Sequence, residues 1–206
     1  MSSTKKYLSG TLTASLILAL SLYLYSSYST SAVNAATSNC FADYIFSTTT
    51  PKINLKHIFC GEVNAVGYGV GFHAKTSGQF PPSANAAPLN PPPAGNAIYQ
   101  LQQVGVKRYL SSDSYTPKER PATSQMFPDN CSEAQITNSI SYAYNNQTSA
   151  NSLRGPSSPI PVTTQYCTRT FGAGPQSMFM ITMRMDNRPT RNGGQAERVI
   201  NSAYPD

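Results

Sequence analysis

His57-Ile58-Phe59-Cys60-Gly61-Glu62 and, after a glycine-rich run, Gly71-Phe72-His73 hold the only two histidines of a 206-residue chain. The imidazoles are 16 residues apart, and Glu62 is the only acid close to them in sequence. Between them, Gly67-Tyr68-Gly69-Val70-Gly71 alternates glycine with larger residues. That is not the GxGxxG that opens a helix under a dinucleotide. It reads as a turn, or as backbone brought close to another group. Two histidines also exclude any site that needs three or four imidazoles. HExxH and GxSxG are absent.

Around this stretch the chain reads as α+β. Residues 53–63 are apolar and short, and residues 76–97 form a Pro/Ser/Ala/Asn-rich surface loop. Residues 98–110 read as a strand broken near Gly105. The clearest helix begins at Ser132, where Ser132-Glu133-Ala134-Gln135 fits a capping box. Ile136, Ile140, Ala143 and Tyr144 then share one face, and the helix stops near Asn145-Asn146. Residues 147–161 read as a loop. Residues 162–170 and 177–185 read as strands joined by a turn at 172–175. Residues 186–194 read as a loop, and residues 199–204 as a last short strand. Strands outnumber helices and do not alternate with them, which favours α+β over βαβ.

The N-terminus reads as an export segment. Lys5 and Lys6 precede an apolar run from Leu12 to Tyr25, and Val33-Asn34-Ala35 suits signal peptidase. Residues 1–35 are thus a signal peptide cleaved near Ala35, giving a secreted or periplasmic protein. The alternative is an uncleaved N-terminal anchor, the chain's only route to a membrane. Residues 36–52 form an extended lead-in, and residues 53–206 the functional domain. Losing residues 1–35 leaves 13 basic and 9 acidic residues, a net charge of +4. That mild excess suits a polyanion without identifying one. Charged residues make up 12% of the full chain, under the roughly 25% typical of globular proteins, which argues against a disordered polyelectrolyte. The four cysteines, Cys40, Cys60, Cys131 and Cys167, form no CxxC and in an exported chain favour two disulfides. Three pairings are open.

Two histidines and a cation suffice for one reaction. RNA is cut when its own 2′-hydroxyl attacks the adjacent phosphate. One imidazole takes the hydroxyl proton, a second protonates the leaving 5′-oxygen, and a Lys or Arg stabilises the added charge. Imidazole titrates near neutral pH and serves either role.

The two histidine segments resemble those of the EndoU family, uridylate-preferring endoribonucleases of animals, coronaviruses and bacterial toxins. Ser124-Gln125-Met126-Phe127-Pro128-Asp129 is similar to the family segment that follows its catalytic lysine. Ser202-Ala203-Tyr204-Pro205 resembles its closing Ser/Thr-x-Tyr-Pro motif. The resemblance spans residues 53–206. It implies two antiparallel sheets forming a cleft, with flanking helices. It implies cleavage of single-stranded RNA at uridylates to 2′,3′-cyclic phosphate and 5′-hydroxyl ends. His57 and His73 become the acid/base pair, the second as base. Tyr204 holds the base, Ser202 and Ser124 hydrogen-bond uracil or phosphate, and Glu62 orients a histidine or the loop. The lysine is less clear: Lys118 is favoured over Arg120, with Lys75 a third choice. No metal ligands are expected; Mn²⁺, used by some members, is optional. DNA is not an expected partner, and an immunity or inhibitor protein is expected only if the chain is a toxin. Two alternatives stay open, a catalytically silent EndoU-like module that binds RNA or another polyanion, and a secreted, disulfide-stapled structural domain.

Overall fold

The computed structural model describes residues 39–120, 122–149, 151–170, 173–189 and 194–206. The expected signal peptide and its cleavage point lie outside the described residues. Residues 39–52 run as turns and bends, and Cys40 is bonded to Cys60. They lead into a single π-helical turn, Lys56–Cys60, in which the residues from His57 to Cys60 are all buried. The second disulfide joins Cys131 to Cys167. The bonds close loops of 20 and 36 residues, which by chain entropy stabilises the fold by roughly 3–4 kcal/mol each.

After the π-turn, β1 (Glu62–Val63) pairs with β2 (Gly69–Val70). β3 (Ala84–Asn85), β4 (Tyr99–Leu101), β5 (Gly105–Val106), β6 (Thr116–Pro117) and β7 (Ser124–Met126) follow. β3, β5 and β6 form one antiparallel sheet, and β4 and β7 another. Within the expected strand at 98–110 the break precedes Gly105, where Gln103 takes a positive φ of 51°. Helix α1 (Glu133–Asn145) is capped as its sequence predicts, with the Ser132 hydroxyl accepting from the Gln135 amide and the Gln135 side chain accepting from the Ser132 amide. Its buried face carries Ile136, Ser139, Ile140 and Ala143.

The C-terminal third differs most from the sequence reading. β8 (Arg154–Pro156) lies where a loop is expected, because Gly155 packs directly on the helix backbone. A Cβ there would sit 2.1 Å from the Ala143 carbonyl oxygen. Of the expected strand at 162–170 only β9 (Arg169–Thr170) forms, paired with β10 (Gln176–Ser177). The Cys167 amide instead donates to Ser139 on the helix. β11 (Met180–Pro189) and β12 (Ala196–Pro205) make a long hairpin with β8 on its edge. The expected loop at 186–194 is strand as far as Pro189. Its polar residues pair across the hairpin instead of forming a loop, as Arg188 opposite Glu197 shows. The expected turn at 172–175 lies partly outside the described residues. The expected two sheets are, among the described residues, five antiparallel ones, all small except the one built on the hairpin.

Two apolar cores result. The larger gathers α1, the π-turn and the hairpin, and includes Phe127 packed edge-on against Phe179 at 6.0 Å. The smaller holds Phe72, Leu101, Val104, Val106 and Met126. Burying each such phenylalanine contributes about 1.5–3 kcal/mol. His73 sits between Phe72 of the smaller core and Ala74 of the larger one.

Candidate active site

Gly71 brings the two histidine segments together. Its φ is +75°, and a Cβ on it would lie 2.3 Å from the His57 carbonyl oxygen and 2.9 Å from the His57 ring. Backbone bonds then lock the segments: Phe72 N donates to His57 O, and His73 N to Ile58 O, each at 2.7 Å. The imidazole centroids end 5.9 Å apart. The alternating glycines thus do what their spacing predicts, at Gly71 above all, by permitting close backbone approach.

Each ring is oriented by a different partner. His57 Nδ1 lies 2.9 Å from Glu62 Oε1. Arg188 donates to that oxygen at 3.3 Å, and Asn54 donates to it at 3.5 Å. Burial alone would raise the Glu62 carboxyl, but the His57 hydrogen bond, its charge and those of Arg188 and Lys56 hold it below the usual value. The carboxylate leaves His57 Nε2 as the ring atom free for chemistry. His73 Nδ1 lies 3.1 Å from the Gln125 carbonyl oxygen. A carbonyl only accepts, so Nδ1 carries the hydrogen and Nε2 of the neutral ring keeps its lone pair. Burial, then the charges of Lys118 and His57, push His73 well below 6.5, against the opposing Gln125 bond. His73 is therefore neutral at neutral pH.

Lys118 is drawn in from the end of β6. Its Nζ donates to the Gly71 carbonyl at 2.9 Å and to the Ser124 hydroxyl at 2.8 Å, and burial lowers it to about 8. The Ser124 hydroxyl donates in turn to the Phe72 carbonyl, so it holds Lys118 and the His73 segment. Ser124 is itself nearly fully buried, at 2% exposure, and also lines the pocket. Of the other expected cations, Arg120 is exposed on the same pocket. Lys75 is not. It pairs with Asp129 at 2.7 Å and lies over the Phe80 and Tyr99 rings, a buried structural cation.

These groups line one pocket of about 550 Å³, within the ~300–1,000 Å³ usual for small-ligand sites. Its walls include Ser202 and Tyr204 of β12, and the Tyr204 ring lies 5.4 Å from His73. Strand alternation explains Ser202 and Tyr204 on one face. A bulge explains why the adjacent Asn201 lines the pocket as well. Arg184 faces Ser202 across the hairpin while Met185 faces Ile200, so Asn201 is the extra residue. Asn201 accepts from Asn54, whose own side-chain oxygen accepts the His57 amide. Asn54, Asn201, Arg184, Arg188 and the Gln125 carbonyl were not singled out from sequence. Only Gln125 lay inside a quoted motif, and its role is a backbone one that no side-chain pattern encodes.

Among the described residues no three His, Cys, Asp or Glu side chains converge. The side chains the pocket does present, His57, His73, Lys118 and Ser124, suit proton transfer and charge stabilisation. The family model described as the bacterial EndoU nuclease matches residues 52–206. No curated protein and no solved structure matches the chain.

Proposed function

Since the chain belongs to the bacterial EndoU nuclease family, we propose that it is an exported endoribonuclease that cuts single-stranded RNA at uridylates with its own side chains. The reading is carried by one observation: two imidazoles with centroids 5.9 Å apart, one held by a carboxylate and the other by a backbone carbonyl, beside a half-buried lysine. In this mechanism the scissile phosphate sits between them. His73 Nε2 takes the 2′-hydroxyl proton as the oxygen attacks phosphorus. Lys118 stabilises the charge that builds on the phosphorane. His57 Nε2–H delivers a proton to the departing 5′-oxygen, while Glu62 stabilises the imidazolium that gives it up. The P–O5′ bond breaks as the 2′-O–P bond forms, leaving a 2′,3′-cyclic phosphate and a 5′-hydroxyl.

Tyr204 offers the aromatic face on which an unstacked base rests. Ser202 and Asn201, beside it, are the groups for reading a uracil edge. Export accords with both disulfides, which persist in oxidising compartments. Incubation of the mature protein with a single-uridine oligoribonucleotide tests this reading. Wild type should cut after the uridine in EDTA as in Mn²⁺, and His57→Ala and His73→Ala should not. Absence of cleavage by wild type in both conditions refutes the enzyme reading.

A further inference from the structure

Three cations line the pocket: Lys118, Arg120 and Arg184. Lys118 is committed to Gly71 and Ser124. The two arginines are placed differently. Both are exposed, and they reach the pocket from separate segments. Arg120 follows Lys118 by two residues, while Arg184 sits on β11 directly opposite Ser202. Among the described residues neither lies within ion-pair distance of a carboxylate, whereas Arg154 and Arg188 each do. Glu119 is the single acid on the lining, against three cations.

A single-stranded RNA carries a phosphate at every nucleotide. A pocket that holds the scissile phosphate therefore leaves its neighbours at the rim, where both guanidiniums are. A guanidinium presents a planar fork that matches two phosphate oxygens. We propose that Arg120 and Arg184 form a flanking-phosphate subsite that binds the phosphates next to the scissile one. The protein then acts on oligonucleotides in preference to dinucleotides. The inference rests on the ribonuclease reading above.

The test uses the full chain and an oligoribonucleotide whose one uridine lacks its 2′-hydroxyl, so that it binds without being cut. Its affinity is measured across a salt series for wild type, Arg120→Gln, Arg184→Gln and the double variant. Each substitution should flatten the log–log salt dependence by about 0.7, the value per phosphate contact on a single strand. The double variant should bind the oligonucleotide about ten-fold more weakly, the effect of two exposed charge contacts. The matching dinucleotide should lose much less. Arg120→Lys with Arg184→Lys should restore the salt slope. An unchanged slope in the double variant, or equal losses for oligonucleotide and dinucleotide, overturns the subsite. A wild type that shows this salt behaviour yet never cuts the ribo-uridine strand leaves the subsite standing and removes the ribonuclease reading.

Discussion

His73 Nδ1 faces the Gln125 carbonyl oxygen at 3.1 Å, while His57 Nδ1 faces a carboxylate. In the proposed mechanism the carboxylate stabilises an imidazolium at His57, the acid, while His73, neutral with its hydrogen on Nδ1, offers the lone pair at Nε2 that a base requires. It also fixes a pH response. The folded ring holds its proton less tightly than the unfolded one, since burial and the charges of Lys118 and His57 lower it well below 6.5. Activity should therefore persist below pH 6.5 and fall only where the buried ring protonates. Stability should fall in the same direction, because acid favours the unfolded chain, which binds the extra proton. His73→Gln should lose about 10²–10⁴ in kcat, and its urea midpoint should vary less with pH on the acid side. A variant whose midpoint follows pH as wild type does would contradict this account.

Lys118 sets the other limb. Burial holds its ammonium near 8 rather than 10.5. The catalytic charge should therefore fade as pH rises through about 8, and kcat/KM with it. Lys118→Ala should cost about 10²–10³ in kcat, as for loss of one oxyanion-stabilising donor. Lys118→Arg is the discriminating variant. An arginine stays charged, so the alkaline limb should move up in pH even though the fork fits the Gly71 and Ser124 bonds less well. A limb that stays in place in Lys118→Arg belongs to another group.

The site was more legible than the fold around it. Local rules wrote the helix: Ser132 and Gln135 carry their capping roles in the sequence, and Ile136, Ile140 and Ala143 face the core as their spacing predicts. The histidines were legible because there are only two and each lies in a motif. The strands were not. β8 forms because Gly155 accepts the helix backbone, and β11 continues through Asp186, Asn187 and Arg188, whose polarity suggested a loop. Those are tertiary effects that override local preference. The bulge at Asn201 is likewise a register event between two strands, with no signal in either strand alone.

Glu62 acts through His57. Its carboxylate is bonded to Nδ1 and held in turn by Arg188 and Asn54. Glu62→Gln keeps the shape and removes the charge that stabilises the imidazolium. It should lower kcat by about 10²-fold or more with little change in KM, since the loss falls on proton transfer and not on binding. Arg188→Ala should give a smaller loss in the same direction. If Glu62→Gln instead raises KM at constant kcat, Glu62 supports substrate binding and not the acid.

Gly71 permits the close approach of the two histidine segments, and Gly67, four residues earlier, supplies the control. Both have positive φ, at 75° and 94°. A Cβ at Gly67 meets nothing within 4 Å, whereas at Gly71 it lies 2.3 Å from the His57 carbonyl oxygen. Gly67→Ala should therefore cost only the left-handed strain, about 1–2 kcal/mol, and leave cleavage close to wild type. Gly71→Ala bears the same strain plus a clash with backbone that cannot step aside, because His57 O is bonded to Phe72 N. It should destabilise by more than Gly67→Ala. It should also abolish cleavage at temperatures where the chain is still folded, because the clash pushes His57 away from His73. Thermal melts and cleavage rates of the two variants, measured side by side, separate strain from displacement. Equal loss of activity in both would mean that the glycine conformation matters and the close approach to His57 does not.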